Sequence, residues 1–67
     1  MRKIQLCEIT ELGNKSEVDV MYNDGSVEML FVYYQDELSF EEHEFIGLTK
    51  SEALEIFRQR DMAYLRR

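Results

Sequence analysis

The sequence contains a single cysteine, Cys7, and no proline among its 67 residues. A single thiol excludes an internal disulfide, and the lack of proline is consistent with a compact chain. No run of about 18 apolar residues is present, so no membrane-spanning helix is predicted. There is also no charged leader followed by an apolar segment. We therefore expect a cytoplasmic protein that does not bind membranes.

Motifs that carry chemistry are equally scarce. The one histidine, His43, lies in the stretch EEHE with no second histidine or cysteine nearby to complete a zinc site. Catalysis by Cys7 and His43 would require the pair to be within hydrogen-bond reach, but Cys7 falls on a predicted core position. The three glycines are isolated and form no phosphate-binding loop. We therefore expect no enzymatic activity, no metal and no cofactor.

Acidic charge is in excess and unevenly distributed. The formal net charge is −6, and residues 36–47 carry five acidic side chains and no basic one. An acidic chain repels nucleic acid phosphate and anionic membranes, but it attracts basic protein surfaces. We therefore predict a protein partner with a basic surface and no direct contact with nucleic acid. The simpler interpretation is that these acids only maintain solubility.

The segment VDVMYNDGSVEMLFVYY predicts a β-hairpin. Asp24-Gly25 lies between two alternating runs and is the preferred pair for a two-residue type I′ turn. The pairs across the hairpin would be Tyr22 with Val27, Val20 with Met29, and Val18 with Phe31. A three-residue loop over 23–25 would instead set Val20 against Glu28 and mix the two faces. The two-residue turn is therefore favoured.

The first segment, KIQLCEITEL, also alternates and predicts a third strand. With Gly13-Asn14 as the loop, Ile9 lies opposite Val18, and a four-residue loop would preserve the same parity. The result is a three-stranded antiparallel meander. One face would form the core, with Cys7, Ile9, Val18, Val20, Tyr22, Val27, Met29, Phe31 and Tyr33.

A C-terminal helix should cover that face. Thr49 and Glu52 have the spacing of a capping box, which predicts a helix starting at Lys50. The apolar stripe is centred on Ala53, Phe57 and Tyr64, with Leu54, Ile56, Ala63 and Leu65 on its flanks. Arg60 and Asp61 also fall inside this stripe. Either they lie at the sheet margin with polar ends that are paired or in water, Asp61 reached by Arg58, or Asp61 makes a semi-buried polar contact.

The segment between sheet and helix is less clearly patterned. Ser39 and Glu42 have capping-box spacing and Gly47 suits a helix end, so a short helix over 40–46 is predicted, with a fourth strand over 42–46 as the alternative. The fold class is accordingly α+β: one domain, residues 1–67, with a three-stranded meander packed on one C-terminal helix and a short helix or fourth strand at 39–46.

The second face of the sheet is unusually apolar for a solvent face. In this register it carries Ile4, Leu6, Met21, Leu30, Val32 and Tyr34, interleaved with Glu8, Glu17, Asp19 and Glu28. A contiguous apolar patch ringed by acids is typical of an interface. The alternative is that residues 36–47 fold back over it. The residues predicted to bind a partner are Leu6, Glu17, Asp19, Met21, Glu28, Leu30, Val32, Tyr34, Asp36, Glu37, Glu41, Glu42 and Glu44.

Three functions are compatible with this pattern. We favour a small, acidic, non-catalytic binding module, which could act as an inhibitor by occupying the nucleic-acid-binding surface of a partner, as phage-encoded inhibitors do. The alternative is a structural homodimer or accessory subunit joined through the second face. An enzyme using the many carboxylates is least favoured, because acid–base groups need unequal environments in a concave pocket.

Overall fold

The computed structural model describes residues 1–66. They form strands β1 (Ile4–Leu12), β2 (Lys15–Tyr22) and β3 (Val27–Tyr34), a 3₁₀ helix (Glu42–Phe45) and helix α1 (Lys50–Leu65). The strands make one antiparallel sheet in the order β1-β2-β3. The predicted α+β architecture is confirmed. At residues 39–46 the structure has a short helix rather than a fourth strand.

The first hairpin has the predicted register. Its pairs include Ile9 with Val18, Cys7 with Val20, and Leu6 with Met21. Leu12 pairs with Lys15, so the loop is the two-residue alternative, Gly13-Asn14. Gly13 has a φ of 68°, whereas Asn14 does not have a positive φ. That sign pattern belongs to a type II′ turn, which matches the twist of the flanking strands.

A bulge near the start of β1 moves Ile4 away from its predicted face. Ile4 pairs with Tyr22 while Leu6 pairs with Met21, so Gln5 is the extra residue between them. Because side chains alternate along a strand, one extra residue places Ile4 and Leu6 on opposite faces. Ile4 is 2% exposed and joins the core. Its predicted position on the second face is therefore wrong.

The second hairpin has a three-residue loop, so the predicted two-residue turn is wrong. The Tyr22 N–H donates to the Ser26 carbonyl at 2.8 Å, and the Gly25 N–H donates to the Tyr22 carbonyl at 2.9 Å. Gly25 has the expected positive φ, 88°, but no non-glycine residue in 1–66 does, and a type I′ turn needs two. The Asp24 carboxylate instead accepts from the Ser26 N–H at 3.0 Å and from its hydroxyl at 2.6 Å. These contacts stabilise the wider loop.

A bulge in β3 restores the predicted register farther from this loop. Next to the loop the pairs are Met21 with Val27, Val20 with Glu28, and Asp19 with Met29. The register then shifts, and Val18 lies opposite Phe31 as predicted. The predicted pairing of Val20 with Met29 is therefore wrong. Val27 and Met29, both predicted in the core, are 72% and 51% exposed.

One face of the sheet, called here the covered face, carries the core. Its buried residues include Ile4, Val18, Val20, Tyr22, Phe31 and Tyr33. Phe40, Phe45 and Ala53 pack against them from the following segments. The aromatic rings form a cluster centred on Phe31, whose ring stacks on Phe57 with the centroids 4.4 Å apart. Aromatic packing thus replaces the larger core that so short a chain lacks.

Helix α1 begins at Lys50, as predicted. The Glu52 N–H donates to Thr49 Oγ1 at 3.3 Å, and the Thr49 N–H donates to Glu52 Oε1 at 2.9 Å. Ala53 is fully buried and Phe57 contacts the sheet, so the predicted face of the helix is the one that docks. Leu65, on the predicted flank of the stripe, is 71% exposed.

Arg60 connects helix α1 to the segment that precedes it through polar and ring contacts. Its guanidinium forms an ion pair with Glu44, donates to the Ser39 carbonyl at 2.9 Å and lies 4.8 Å from the centroid of the Phe40 ring. The paired polar end predicted for Arg60 is thereby confirmed.

The predicted contact between Arg58 and Asp61 is wrong. Arg58 instead forms an ion pair with Glu55, three residues before it in the helix, with Nη2 and Oε2 2.5 Å apart. Asp61 is half-buried.

The acidic segment 36–47 lies against the covered face and the outer edge of β1, not against the second face. Phe40 and Phe45 are buried in the core. At the edge of β1, the Ile4 N–H donates to the Leu48 carbonyl and the Gly47 N–H to the Ile4 carbonyl, each at 2.8 Å. The alternative in which this segment covers the second face is wrong.

The 3₁₀ helix in that segment is shorter than predicted and has a different cap. The Glu41 N–H donates to Glu44 Oε2 at 2.8 Å, so Glu41 and Glu44 occupy the positions that Ser39 and Glu42 were predicted to fill. The Glu42 carboxylate accepts instead from the Ile9 N–H at 2.8 Å. It thereby satisfies one backbone donor of an edge strand.

Candidate functional site

The second face of the sheet, called here the open face, carries four cross-strand rows. In order from the second hairpin loop, the rows are Leu6–Met21–Val27, Glu8–Asp19–Met29, Thr10–Glu17–Val32 and Leu12–Lys15–Tyr34. Neighbouring side chains within a row lie about 5 Å apart at Cβ, close enough to interact. The face therefore combines one apolar row, a central group of acids and an apolar column along β3.

The apolar row Leu6–Met21–Val27 is accessible. Leu6 is 56% exposed, Val27 is 72% exposed, and Met21 between them is half-buried. A shallow groove of about 360 Å³ runs beside this row and is also lined by Glu8 and Asp19. The predicted pairing of Leu6 with Met21 is confirmed.

The apolar column along β3 is the least expected part of this face. Its four side chains, Val27, Met29, Val32 and Tyr34, are each at least 41% exposed. Val32 and Tyr34 were predicted here, whereas Val27 and Met29 were not. Leu30, predicted here, is partly buried and packs against the core. The sequence feature that could have placed Val27 and Met29 on this face is the Asn23–Gly25 loop. One extra loop residue reverses the alternation of side chains along the strand that follows.

The central acids of the open face repel one another. Glu8 lies directly opposite Asp19, and Glu17 lies on the same face of β2 as Asp19. A hydrogen bond and charge repulsion from Asp19 raise the pKa of Glu17. Like charges placed opposite each other destabilise a sheet. Among the described residues the one basic side chain in these rows is Lys15, whose Nζ lies 5.4 Å from the Tyr34 ring centroid.

Glu28 does not belong to this face, and its predicted position there is wrong. It lies opposite Val20, on the side of the helix. Its carboxylate accepts from the Tyr22 hydroxyl at 2.5 Å and from Lys50 Nζ at 3.0 Å. Both hydrogen bonds lower the pKa of Glu28. The side chain thus joins the sheet to the start of α1.

The five acids of the segment 36–47 are not brought to the open face either. Glu42 and Glu44 are bound within the fold, by the Ile9 N–H and by Arg60 respectively. Glu41 lies 3.3 Å from His43 Nδ1. Asp36 is exposed and Glu37 is half-buried. The predicted binding residues are therefore not one surface: the open face holds Leu6, Met21, Val32 and Tyr34 with the acids Glu17 and Asp19.

Among the described residues, no hydrogen bond joins Cys7 to His43. Cys7 is half-buried against the core, and burial, with the charges of Glu42 and Asp19, raises the pKa of its thiol to about 11. A thiol with a raised pKa is a poor nucleophile at neutral pH. Within residues 1–66, no three histidine, cysteine, aspartate or glutamate side chains cluster as metal ligands would.

Comparisons of the chain with protein-family models, with curated proteins and with solved structures gave no match. Over the part of the chain that the structure describes, no helix has the length and apolar character needed to cross a bilayer.

Proposed function

We propose that this protein is a small, non-catalytic binding module that docks its open face onto another protein. The observation that carries the proposal is the exposed row Leu6–Met21–Val27 next to the acids Glu8 and Asp19. Such a surface fits a partner patch in which apolar side chains are flanked by lysine or arginine. The apolar row would supply the desolvated centre of the contact, and the acids its charged rim.

The electrostatics of the open face support a basic partner. Glu17 and Asp19 repel each other in the free protein, and this repulsion contributes to the raised pKa of Glu17. A lysine or arginine placed between them would relieve that repulsion on binding. The formal net charge of −6 also attracts a basic surface from a distance and speeds association.

A basic surface of this kind is typical of proteins that bind nucleic acid. We therefore extend the proposal to inhibition: the acids of this chain would take the place of phosphate groups and block a nucleic-acid-binding partner, as phage-encoded inhibitors do. The chain itself would not contact nucleic acid, because its charge repels phosphate.

A homodimer formed through the same face is the second candidate. The exposed apolar column of β3 favours it, since Val27 and Met29 lose water contact when two faces meet. However, two stacked copies would also bring Glu8, Glu17 and Asp19 of each protomer close together. A homodimer should therefore strengthen as salt rises, whereas a complex with a basic partner should weaken.

The test is affinity capture on immobilised protein, with captured proteins identified by mass spectrometry and their binding then measured at rising salt. Met21→Lys should abolish capture without unfolding the chain, because the lysine enters a desolvated apolar contact. Gln59→Lys, the same change in charge on the exposed side of α1, is the control and should bind normally.

Reversing the acids separates the two candidates. Glu17→Lys with Asp19→Lys should slow association with a basic partner, whereas it should leave a homodimer intact or strengthen it in sedimentation velocity. Capture that is unaffected by Met21→Lys would refute binding through the open face.

A further inference from the structure

A second concave site lies on the covered face, near the loop Gly13-Asn14. There the end of the sheet meets residues 38–42 and leaves a cleft of about 420 Å³. The volume is within the range of small-ligand sites, roughly 300–1,000 Å³. Because the cleft and the open face lie on different sides of the sheet, a ligand could occupy the cleft whether or not the open face binds a protein.

Two buried residues that carry hydroxyl groups line this cleft. Ser16 and Tyr33 lie opposite each other on β2 and β3, and both line the cleft. Ser16 is 2% exposed and Tyr33 is 7% exposed. No hydrogen bond within residues 1–66 reaches either hydroxyl. Because no fully buried side-chain oxygen in those residues lacks a partner, neither hydroxyl oxygen is fully buried, and both residues line the cleft.

Three residues with carboxylate side chains, Glu11, Glu41 and Glu42, also line the cleft. Glu42 uses Oε2 to accept from the Ile9 N–H, which leaves Oε1 available, and Glu41 lies beside His43. Glu11 makes no hydrogen bond or ion pair within residues 1–66. No lysine, arginine or histidine side chain of the described residues lines the cleft.

Two basic side chains next to the cleft-lining residues, Arg60 and Lys15, have partners of their own. Arg60 contacts Ser39 and the Phe40 ring, but Glu44 holds its guanidinium. Lys15 lies over Tyr34 on the open face. Negative charge is therefore concentrated in a cleft whose apolar wall includes Phe40 and Leu38, and such clefts attract cations strongly.

The geometry points to a binding site for a primary ammonium or guanidinium group at the end of an aliphatic stem. The carboxylates of Glu11 and Glu42 would neutralise the cation, and the oxygens of Ser16 and Tyr33 would accept its remaining N–H groups. The stem would pack along Phe40 and Leu38. A lysine or arginine side chain of a partner protein and a free alkylamine share this chemistry.

Titration of ¹⁵N-labelled protein tests the site. The probes are Nα-acetyl-lysine amide, n-butylamine, and Nα-acetyl-norleucine amide, which keeps the stem but lacks the charge. The lysine amide should shift the amide signals of Gly13, Ser16 and Glu42 in a saturable manner, and the norleucine amide should not. Binding of butylamine as well indicates that a free amine suffices, whereas binding of the lysine amide alone indicates a peptide ligand. Either result supports the site.

Glu11→Gln should weaken binding of the lysine amide about tenfold, the equivalent of one lost charge-assisted contact. Glu11 is exposed, so the fold should persist. Glu55→Gln is the matched control, because it removes the same charge from α1, outside the lining of the cleft and away from the open face. Equal weakening by both variants, equal binding of the norleucine amide, or no saturable shift with either amine would overturn the assignment.

Discussion

The covered face and the open face of this sheet use charge in opposite ways. On the covered face, Glu28 is held by Tyr22 and Lys50, and Glu44 is held by Arg60. On the open face, Glu17 and Asp19 repel each other. Paired charges fix the segment 36–47 and helix α1 against the sheet. The acids of the open face lack basic partners of this kind, which is why we propose a binding role for them.

The largest expected effect concerns the covered face. Phe45 is fully buried against Phe31 and Phe40, so Phe45→Ala should lower the free energy of unfolding by about 3 to 5 kcal/mol. In so small a domain this loss can unfold the chain at room temperature. Urea denaturation followed by circular dichroism measures it. A loss below about 1 kcal/mol would mean that the 3₁₀ helix does not pack on the sheet.

The two faces should also respond oppositely to acid. Glu44 has its pKa lowered from the ordinary value of 4.5, chiefly by the hydrogen bond from Arg60. Its contribution to stability is present above pH 4.5 and is lost as the pH falls through the lowered pKa. Glu17 has its pKa raised from 4.5 by Asp19. Folding therefore favours the protonated form of Glu17. The resulting contribution to stability is present below pH 4.5 and is lost as the pH rises through the raised pKa.

Substitution of each glutamate by glutamine isolates these contributions. Glu44→Gln should reduce the loss of stability below pH 4.5, whereas Glu17→Gln should stabilise the protein most at neutral pH, where the repulsion with Asp19 is complete. Denaturant unfolding of the wild type and both variants from about pH 3 to about pH 7 measures the difference. Changes of the same sign in both variants would contradict the contrast between the faces.

The sequence was sufficient where one local pattern had a single structural outcome. Thr49 and Glu52 located the start of α1, and Gly13-Asn14 set the register of the first hairpin. The second hairpin was predicted wrongly, because Asp24-Gly25 suits a two-residue turn, whereas hydrogen bonds from the Ser26 N–H to Asp24 and from the Tyr22 N–H to Ser26 belong to the wider loop. The wider loop alone would place Phe31 on the opposite face from the one predicted. The bulge in β3 corrects the register before Phe31 is reached.

The candidate binding residues illustrate the same limit. Alternation alone placed Leu6 and Met21 on the correct face once the strands were known. Val32 and Tyr34 were placed correctly because the bulge in β3 reverses the shift caused by the wider loop. The predicted face was wrong for Ile4, Glu28 and Val27, since each lies beyond a bulge or next to the wider loop. The clustering of Glu41 and Glu42 with Ser16 depends on the path of residues 36–47. No periodic pattern encodes that path.

The smallest expected effect tests the face assigned to Val27. Val27→Thr exchanges a methyl group for a hydroxyl at nearly constant volume, and Val27 is 72% exposed, so the free energy of unfolding should change by less than about 0.5 kcal/mol. Val20→Thr is the matched control on β2. Val20 is 2% exposed on the covered face, where an added hydroxyl without a partner should cost about 1 to 3 kcal/mol. Had the two-residue turn formed, Val27 would lie opposite Tyr22 in the core, and both threonine variants would be destabilised alike. Equal losses in the free energy of unfolding, measured by urea denaturation, would therefore indicate that Val27 lies in the core and not on the proposed binding surface.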